Sequence, residues 1–489
     1  MLLDPTTCHR ALQAHDARFD GVFFVAVKTT GIYCRPICPA RVPAPDRCLY
    51  FKRAAEAERA GFRACFRCRP ELAPGDASDG STEVASVDVV SRLVHTAAAR
   101  IEAGYLNEAS VDDLAADLGV TARHLRRAME SKLGVTPIEL AQTKRLALAK
   151  QLLQETELSL TDVAFAAGFA SVRRFNALFQ ARFAKAPSLL RRAHAAPHGQ
   201  HGDDAVTLRL DYRPPFDWDA LLTFLAGRAI PGVEQVINGE YRRALTLADR
   251  SGWIAVRSDP KRNALQARVS LSLAPVLTTV VARLRALFDL DAHPARIAQH
   301  LQRDRALAAS VAARPGLRVP GAFDGFEVAV RAVLGQQISV AAATTLSGRL
   351  VQRFGASMGE LGSLFPSASR LAEASLDEIA RVGMPGARAR TILELSRAVA
   401  GGGLRLTPEA SPAVAIERLL ELPGIGPWTA HYIALRGLRW PDAFPAADLG
   451  VRKALGVSSA RAAEERSECW RPWRAYAVMH LWTSLSTGG

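Results

Sequence analysis

No apolar run in this chain of 489 residues reaches the ~18 residues that a membrane-crossing helix needs. The first residues include Asp4, His9 and Arg10 and carry no apolar stretch of the kind that marks a secretory leader. A cytoplasmic protein with no membrane partner is therefore expected. Cysteine is scarce, with seven in all. In a reducing compartment so few argue for metal or catalysis rather than a disulfide framework. Negative charge is in deficit: 48 acidic residues against 62 basic ones leave a net charge of +14. A polyanionic partner is the first expectation. The 49% of hydrophobic residues suffices for several cores, and the length corresponds to about three or four domains.

Five of the seven cysteines lie between positions 34 and 68. Cys34 and Cys38 are separated by three residues, Cys65 and Cys68 by two, and 26 residues lie between the pairs. Two such knuckles supply four soft ligands, the set that tetrahedral Zn2+ takes. Closed four-cysteine sites are mostly structural, so spacing alone leaves a structural or a reactive site open. In so short a segment the metal would also help hold the fold. Cys8 and Cys48 fit neither pair and read as ordinary reduced thiols.

The segments around the pairs are more specific. FDGVFFVAVKTTGIYCRPICPAR (Phe19 to Arg41) and AGFRACFRCRP (Ala60 to Pro70) resemble the N-terminal domain of Ada-type proteins, which repair methylphosphotriesters in DNA. The resemblance implies a small zinc-bound α/β domain at residues 1–76. It further implies that Cys34, Cys38, Cys65 and Cys68 hold the metal and that Cys34 is the nucleophile. Zinc keeps sulfur as thiolate, the nucleophilic form. Nothing in the motif could regenerate the thioether, so methyl transfer is expected to be stoichiometric. Methylating one of four thiolates removes a negative charge from a surface that faces phosphates, and affinity for DNA should rise. Arg35, Arg41, Arg63 and Arg67 crowd the same loops and are candidates to hold the DNA backbone.

From Pro74 to Thr82 the chain is rich in Gly, Ser and Asp and reads as a linker. Helical periodicity follows. Ser110 to Asp113 has the form of a capping box, Gly119 breaks the pattern, and a second helix starts near Thr121. The pattern recurs 49 residues later, at Ser159, Asp162 and Gly168, after a long helix from Pro137 to about Gln154. Two helix-turn-helix units are predicted at residues 84–194, an all-α domain. Their second helices carry Arg123, Arg126 and Arg127, and Arg173, Arg174 and Arg182. No carboxylate occurs between Ser171 and Arg192. Such helices enter the major groove and set basic residues on base edges and phosphates, although a solvated helical hairpin has the same periodicity. Phe175, Phe179 and Phe183 are core. Leu160 to Phe183, LTDVAFAAGFASVRRFNALFQARF, resembles AraC-type regulators. That resemblance implies a transcription activator with promoter DNA and RNA polymerase as partners. The Pro-Cys-His-Arg signature of the methyltransferase half of Ada-type proteins is missing, so direct reversal at guanine oxygen is not expected.

His194 to Asp204 reads as a second linker. Period-2 runs at Val206 to Tyr212, Ala244 to Ala248, Trp253 to Val256 and Ala264 to Leu273 predict antiparallel strands. Helices are expected at Asp217 to Arg228 and Val276 to Phe288. Residues 205–316 form an α+β domain with no visible chemistry, similar to the N-terminal domain of AlkA-type glycosylases.

Residues 317–489 read as all-α. Leu422 to Gly426, LPGIG, is a tight turn whose glycines let N–H groups face a phosphate at a helix start. Asp448 opens the helix that follows the Phe-Pro-Ala-Ala run, where a carboxylate is most often an N-cap. In order, RPGLRVPGAFDGFEVAVRAVLGQQIS (Arg314 to Ser339), LPGIGPWTAHYIALRGLRWPDAFPAAD (Leu422 to Asp448) and Trp470 to Trp482 resemble the AlkA-type alkylbase glycosylases of the helix-hairpin-helix superfamily. This implies that Asp448 is the catalytic acid residue and that Gly424 and Gly426 line the phosphate anchor. Gln337 falls on the intercalating position, and Trp428, Tyr432 and Trp482 on the aromatic base pocket; Trp473 and Tyr476 are expected in the core. A cationic methylated purine would gain from cation–π attraction in such a pocket. Where bifunctional relatives place a lysine just after the hairpin, this chain has Trp428, so hydrolysis to an abasic site without strand cleavage is expected.

The expected whole is a multidomain, mainly α protein with α+β parts, a monomer binding Zn2+ and double-stranded DNA. It would join a methylphosphotriester sensor, an activator and a DNA-3-methyladenine glycosylase. One rival is a regulator with an inert C-terminal half. Another is a repair enzyme whose helix-turn-helix block adds only nonspecific DNA affinity.

Overall fold

The computed structural model describes residues 4–75, 89–194 and 204–486. Most of both expected linkers lies outside the described residues. The chain forms two compact units. The first takes in Met1–Pro214, Leu247–Gly252 and Asp259–Ala282; the second takes in Pro215–Thr246, Trp253–Ser258 and Arg283–Gly489. The mainly helical architecture with sheet-bearing parts agrees with the expected class. Among the described residues no helix is long and apolar enough to cross a membrane.

The first unit begins with a four-stranded sheet, in order β3-β1-β2-β4. β1 (Phe24–Val27) and β2 (Ile32–Cys34) form a hairpin with Val25 opposite Cys34. β3 (Cys48–Phe51) pairs antiparallel with β1, and the short β4 (Arg63–Ala64) runs parallel to β2. Phe24, Val25 and Ala26 are all buried, which suits an aromatic and β-branched run. Gly31, at φ +65°, lets the hairpin close. The parallel pairing brings the segment after β4 alongside the end of β2, and Cys65 N donates to Tyr33 O at 3.0 Å. The two cysteine pairs thus meet.

Two helix-turn-helix units follow. Ser110 and Asp113 form the expected capping box at the start of the helix Val111–Asp117. Ser159 caps Leu160–Ala166, and Gly119 and Gly168 turn the chain at φ +69° and +84°. Their second helices are Ala122–Leu133 and Val172–Phe183, joined through the long helix Pro137–Glu155. Phe175, Phe179 and Phe183 are buried, as expected.

The long helix also packs on the small sheet domain. Lys150, fully buried, donates to Cys65 O at 2.9 Å and to Glu71 at 2.8 Å. Glu58 accepts from Tyr33 OH at 2.9 Å and pairs with Arg182. Arg182 is therefore held inside this unit, a correction to its expected place on the DNA-facing surface. Arg35 is corrected in the same way. Its guanidinium is buried against Asp20 and against Asp211, 2.9 Å away in β5 (Ala205–Asp211), so it cannot reach a DNA backbone. β5 pairs antiparallel with the strand Ala264–Ser270, Ala205 opposite Ser270.

In the second unit β6 (Glu234–Ile237) and β7 (Glu240–Leu247) make a hairpin with Val236 opposite Tyr241. β6 was not expected. Its signal was the Asn238-Gly239 pair, both at positive φ, the preferred two-residue hairpin turn. The core gathers the helices Gly325–Leu334, Val340–Phe354, Gly386–Ala400, Pro427–Arg436 and Arg474–Ser486. Trp473 and Tyr476 belong to it, with Tyr476 OH donating to Asp289 at 2.7 Å. Two buried carboxylates nearby are matched by two arginines: Arg331 donates to Glu234 at 2.8 Å and Arg243 to Glu327 at 2.5 Å.

Removing one partner of a buried ion pair leaves the other uncompensated. Arg35→Met is expected to destabilise the first unit by about 3–5 kcal/mol in denaturant unfolding; a change below about 1 kcal/mol would show that Asp20 and Asp211 do not depend on it.

Candidate functional site

The sulfurs of Cys34, Cys38, Cys65 and Cys68 all lie within 4.8 Å of one another, and none is in a disulfide. Strand β2 delivers Cys34. A turn in which Cys38 N donates to Arg35 O at 3.1 Å brings Cys38 back to it. Cys65 and Cys68 follow β4. Four thiol ligands converging on one point suit Zn2+. Crowded together as free thiols, they are pushed apart in acidity: hydrogen bonds from neighbouring sulfurs raise Cys34 and Cys68 and lower Cys65. Arg35 N donates to Cys68 Sγ at 3.4 Å and Arg67 N to Cys65 Sγ at 3.3 Å. Among the described residues no backbone N–H does so for Cys34, which is half-buried at the end of its strand. Arg41, Arg63 and Arg67 are exposed beside the cluster. Cys8 and Cys48 are buried outside it and in no disulfide, and burial pushes Cys8 up to about 11.

On the two second helices Arg123, Arg126 and Arg127, and Arg173 and Arg174, are all exposed. Thr121 and Ser171 cap these helices through the N–H groups of His124 and Arg174. The two units therefore present basic residues on matching faces. Exposed arginines in that arrangement suit a polyanionic backbone.

In the second unit the turn Leu422 to Gly426 joins helices Pro412–Leu420 and Pro427–Arg436. Ile425 is buried and anchors it, while Gly424 and Gly426 are exposed. Gly424 has φ +83°, and a Cβ there would stand 2.3 Å from Thr391 Oγ1, so no other residue fits. Thr391 holds the turn from behind by donating to Pro423 O at 2.8 Å. Gly426 is the N-cap of the second helix, whose first N–H groups carry the positive end of the helix dipole. Sequence reasoning missed the brace on the other side. Gln336 Nε2 donates to Gly424 O at 2.8 Å and to Thr429 Oγ1 at 2.9 Å, and Arg388 donates to Gln336 O at 2.7 Å. Gln337, next in the chain, is exposed at φ +59°.

Asp448 is the N-cap of Leu449–Leu455, accepting from Val451 N at 2.9 Å. Its carboxylate does more than cap. Trp428 Nε1 donates to Oδ2 at 2.8 Å and Trp482 Nε1 to Oδ1 at 3.0 Å. Tyr432 stacks on Trp428 with centroids 5.5 Å apart and planes 19° apart, and meets Trp482 at 6.3 Å. Trp428, Tyr432, Trp482 and Asp448 are all half-buried, a partly open aromatic wall around one fixed carboxylate.

Four family models match the chain: the metal binding domain of Ada at residues 7–71, a helix-turn-helix domain at 114–193, the AlkA N-terminal domain at 207–324, and the HhH-GPD superfamily of base excision DNA repair proteins at 330–474. The chain is 43% identical over 488 residues to a probable bifunctional transcriptional activator/DNA repair enzyme AlkA of Mycobacterium tuberculosis, spanning 98% of this chain and 96% of the relative. It is 37% identical to DNA-3-methyladenine glycosylase 2 of Escherichia coli over 56% of this chain and 95% of that protein. A solved 3-methyladenine DNA glycosylase from Archaeoglobus fulgidus shares the fold over 56% of this chain and 96% of its own, with a TM-score of 0.50 at 23% identity.

The metal site can be checked without DNA. Metal analysis of the purified chain is expected to find one zinc, lost on chelation together with cooperative unfolding of residues 4–75; an unchanged unfolding curve after complete zinc removal would contradict a metal-supported fold.

Proposed function

Because the chain belongs to the family of bifunctional transcriptional activator/DNA repair enzymes, we propose that it senses, reports and excises alkylation damage in DNA. The first unit accepts a methyl group from a methylphosphotriester at Cys34 and activates transcription. The second hydrolyses the N-glycosidic bond of alkylated purines.

The observation that carries the glycosylase reading is the setting of Asp448. An N-cap carboxylate needs one backbone N–H, whereas this one also takes two indole N–H groups from helices 20 and 34 residues further along or back in the chain. That arrangement fixes both oxygens at the edge of an aromatic wall. A carboxylate so oriented can stabilise the oxocarbenium-like sugar or direct a water at it. A ring-alkylated purine is already a good leaving group, so one oriented acid suffices. Trp428 stands where a Schiff-base lysine would be needed, and its N–H is committed to Asp448. Simple hydrolysis to an abasic site follows. Gly424 and Gly426 anchor a phosphate, and Gln337, presented by the braced Gln336, fills the gap left by the flipped nucleotide.

In the first unit, bound zinc supplies a cation that keeps four sulfurs ionised at neutral pH. Cys34 is half-buried and lacks the N–H donor that damps the nucleophilicity of Cys65 and Cys68. The transferred methyl stays on its sulfur, the phosphotriester becomes a diester, and no co-reactant is needed. Arg41 and Arg67 hold the backbone there, while Arg123, Arg126, Arg173 and Arg174 read the operator. The chain would work as a monomer in the cytoplasm, with promoter DNA and RNA polymerase as partners of the activator role.

On alkylated duplex, Asp448→Asn is expected to lower release of methylpurines by at least about a hundredfold and to leave methyl uptake intact, with Cys34→Ala doing the reverse. Undiminished release from Asp448→Asn, or mass spectrometry placing the methyl on another cysteine of a fully active Cys34→Ala chain, would contradict the assignment.

A further inference from the structure

Behind the aromatic wall the second unit holds an unusual charge arrangement. The oxygen of Tyr432 accepts from Arg436 Nη1 at 3.1 Å and also feels the charge of a second guanidinium, that of Arg228. Arg436 is buried, and its other donors go to the carbonyls of Pro320 at 2.8 Å and Gly321 at 2.9 Å. Arg228 reaches Phe224 O at 3.3 Å. Both guanidiniums lie over the Phe224 ring, at 3.8 and 4.9 Å. Among the described residues neither arginine has a carboxylate within ion-pair distance. The neighbouring carboxylates are already matched: Glu234 with Arg331 and Glu327 with Arg243. Asp448, the remaining charge along the wall, gives its oxygens to Trp428, Trp482 and Val451. His431, next along the helix, turns away to Trp440 and Phe444 N.

One buried and one half-buried guanidinium without a counter-ion would repel a positively charged base stacked over them, and a buried charge is costly unless paired. We propose that Tyr432 is that counter-ion, and that its ionised ring makes the pocket select positively charged purines over neutral ones. This deepens the glycosylase reading and rests on it for its substrate. The phenol proton leaves to solvent and the pocket gains one negative charge. The stacked Trp428–Tyr432 pair then presents an electron-rich face while the net positive charge behind it falls, and both changes favour a cation. Burial opposes ionisation of Tyr432, but Arg436, Arg228 and Arg331 outweigh it and pull the phenol down to about 8. The group therefore titrates just above neutrality. Selectivity for cationic bases should be weak at low pH and rise as the phenol ionises. Tyr432 acts here as a specificity-determining residue, not as a proton donor.

Two measurements on the full chain test this. The first is an absorbance titration at the tyrosinate band. Of seven tyrosines, one is expected to ionise near pH 8, to be missing in Tyr432→Phe and to move upward in Arg228→Gln. The second is equilibrium binding of duplexes that carry either fixed-charge N7-methyladenine or uncharged 1,N6-ethenoadenine on a 2′-fluorinated sugar, so that binding and not release is read. The preference for the cation is expected to grow about tenfold between pH 7 and 9, the change in ionised fraction across such a titration, and to stay flat in Tyr432→Phe. A wild-type chain with no tyrosine ionising below pH 9, or the same pH slope in Tyr432→Phe, overturns the proposal. If the early titration is present but neither lesion binds better than undamaged duplex, the base-pocket reading is what fails.

Discussion

Three N–H donors from three helices meet on the two oxygens of Asp448, and the second unit is arranged so that they can. Trp428 comes from the helix behind the hairpin, Trp482 from the last described helix, and Val451 from the helix that Asp448 itself caps. Each donor removes a rotational freedom from the carboxylate, and the indoles that hold it are also the walls beside it. The hairpin is bound into the same frame: Thr391 fixes it from one side and Gln336 from the other. A phosphate anchored at Gly424 and Gly426 would thus stand at a set distance from the acid. Orientation of this kind can supply much of a catalytic effect when the leaving group is already activated.

The first unit solves a different problem with different means. Its fold is too small to hold four sulfurs together by hydrophobic packing alone, and the parallel β2–β4 pairing, a metal and buried ion pairs share the task. Lys150 reaches from the long helix of the helix-turn-helix block to Cys65 O and Glu71, and Glu58 gathers Tyr33 and Arg182. The thiolate cluster and the second recognition helix are consequently parts of one packed body. A charge change at Cys34 would act on a surface whose position relative to Arg173 and Arg174 is already set.

Much of this could be read in the residues themselves. Two cysteine knuckles can hardly meet without forming a tetrahedral site, and the first glycine of LPGIG, Gly424, is required by a left-handed turn with Thr391 behind it. Asp448 was legible as an N-cap; that both indoles point at it was not. The two misplaced arginines share one cause. Arg35 and Arg182 are as basic as Arg41 and Arg174, and only tertiary pairing with Asp20, Asp211 and Glu58 takes them from the surface. Charge tells what a residue can pair with but not which partner the fold brings. The Tyr432–Arg436 spacing places both on one helix face and was available from the chain, whereas Arg228 joins them only in space.

The central claim is that indole donors orient Asp448 for hydrolysis. The most direct test keeps an aromatic ring at each position and removes both N–H groups: single-turnover release of a methylpurine by a Trp428→Phe/Trp482→Phe chain, with lesion binding measured alongside. If orientation matters as argued, the chemical step should slow by about a hundredfold while lesion binding changes only a few-fold. Release at the native rate would show that the carboxylate needs no such support, and the account of the site would be wrong.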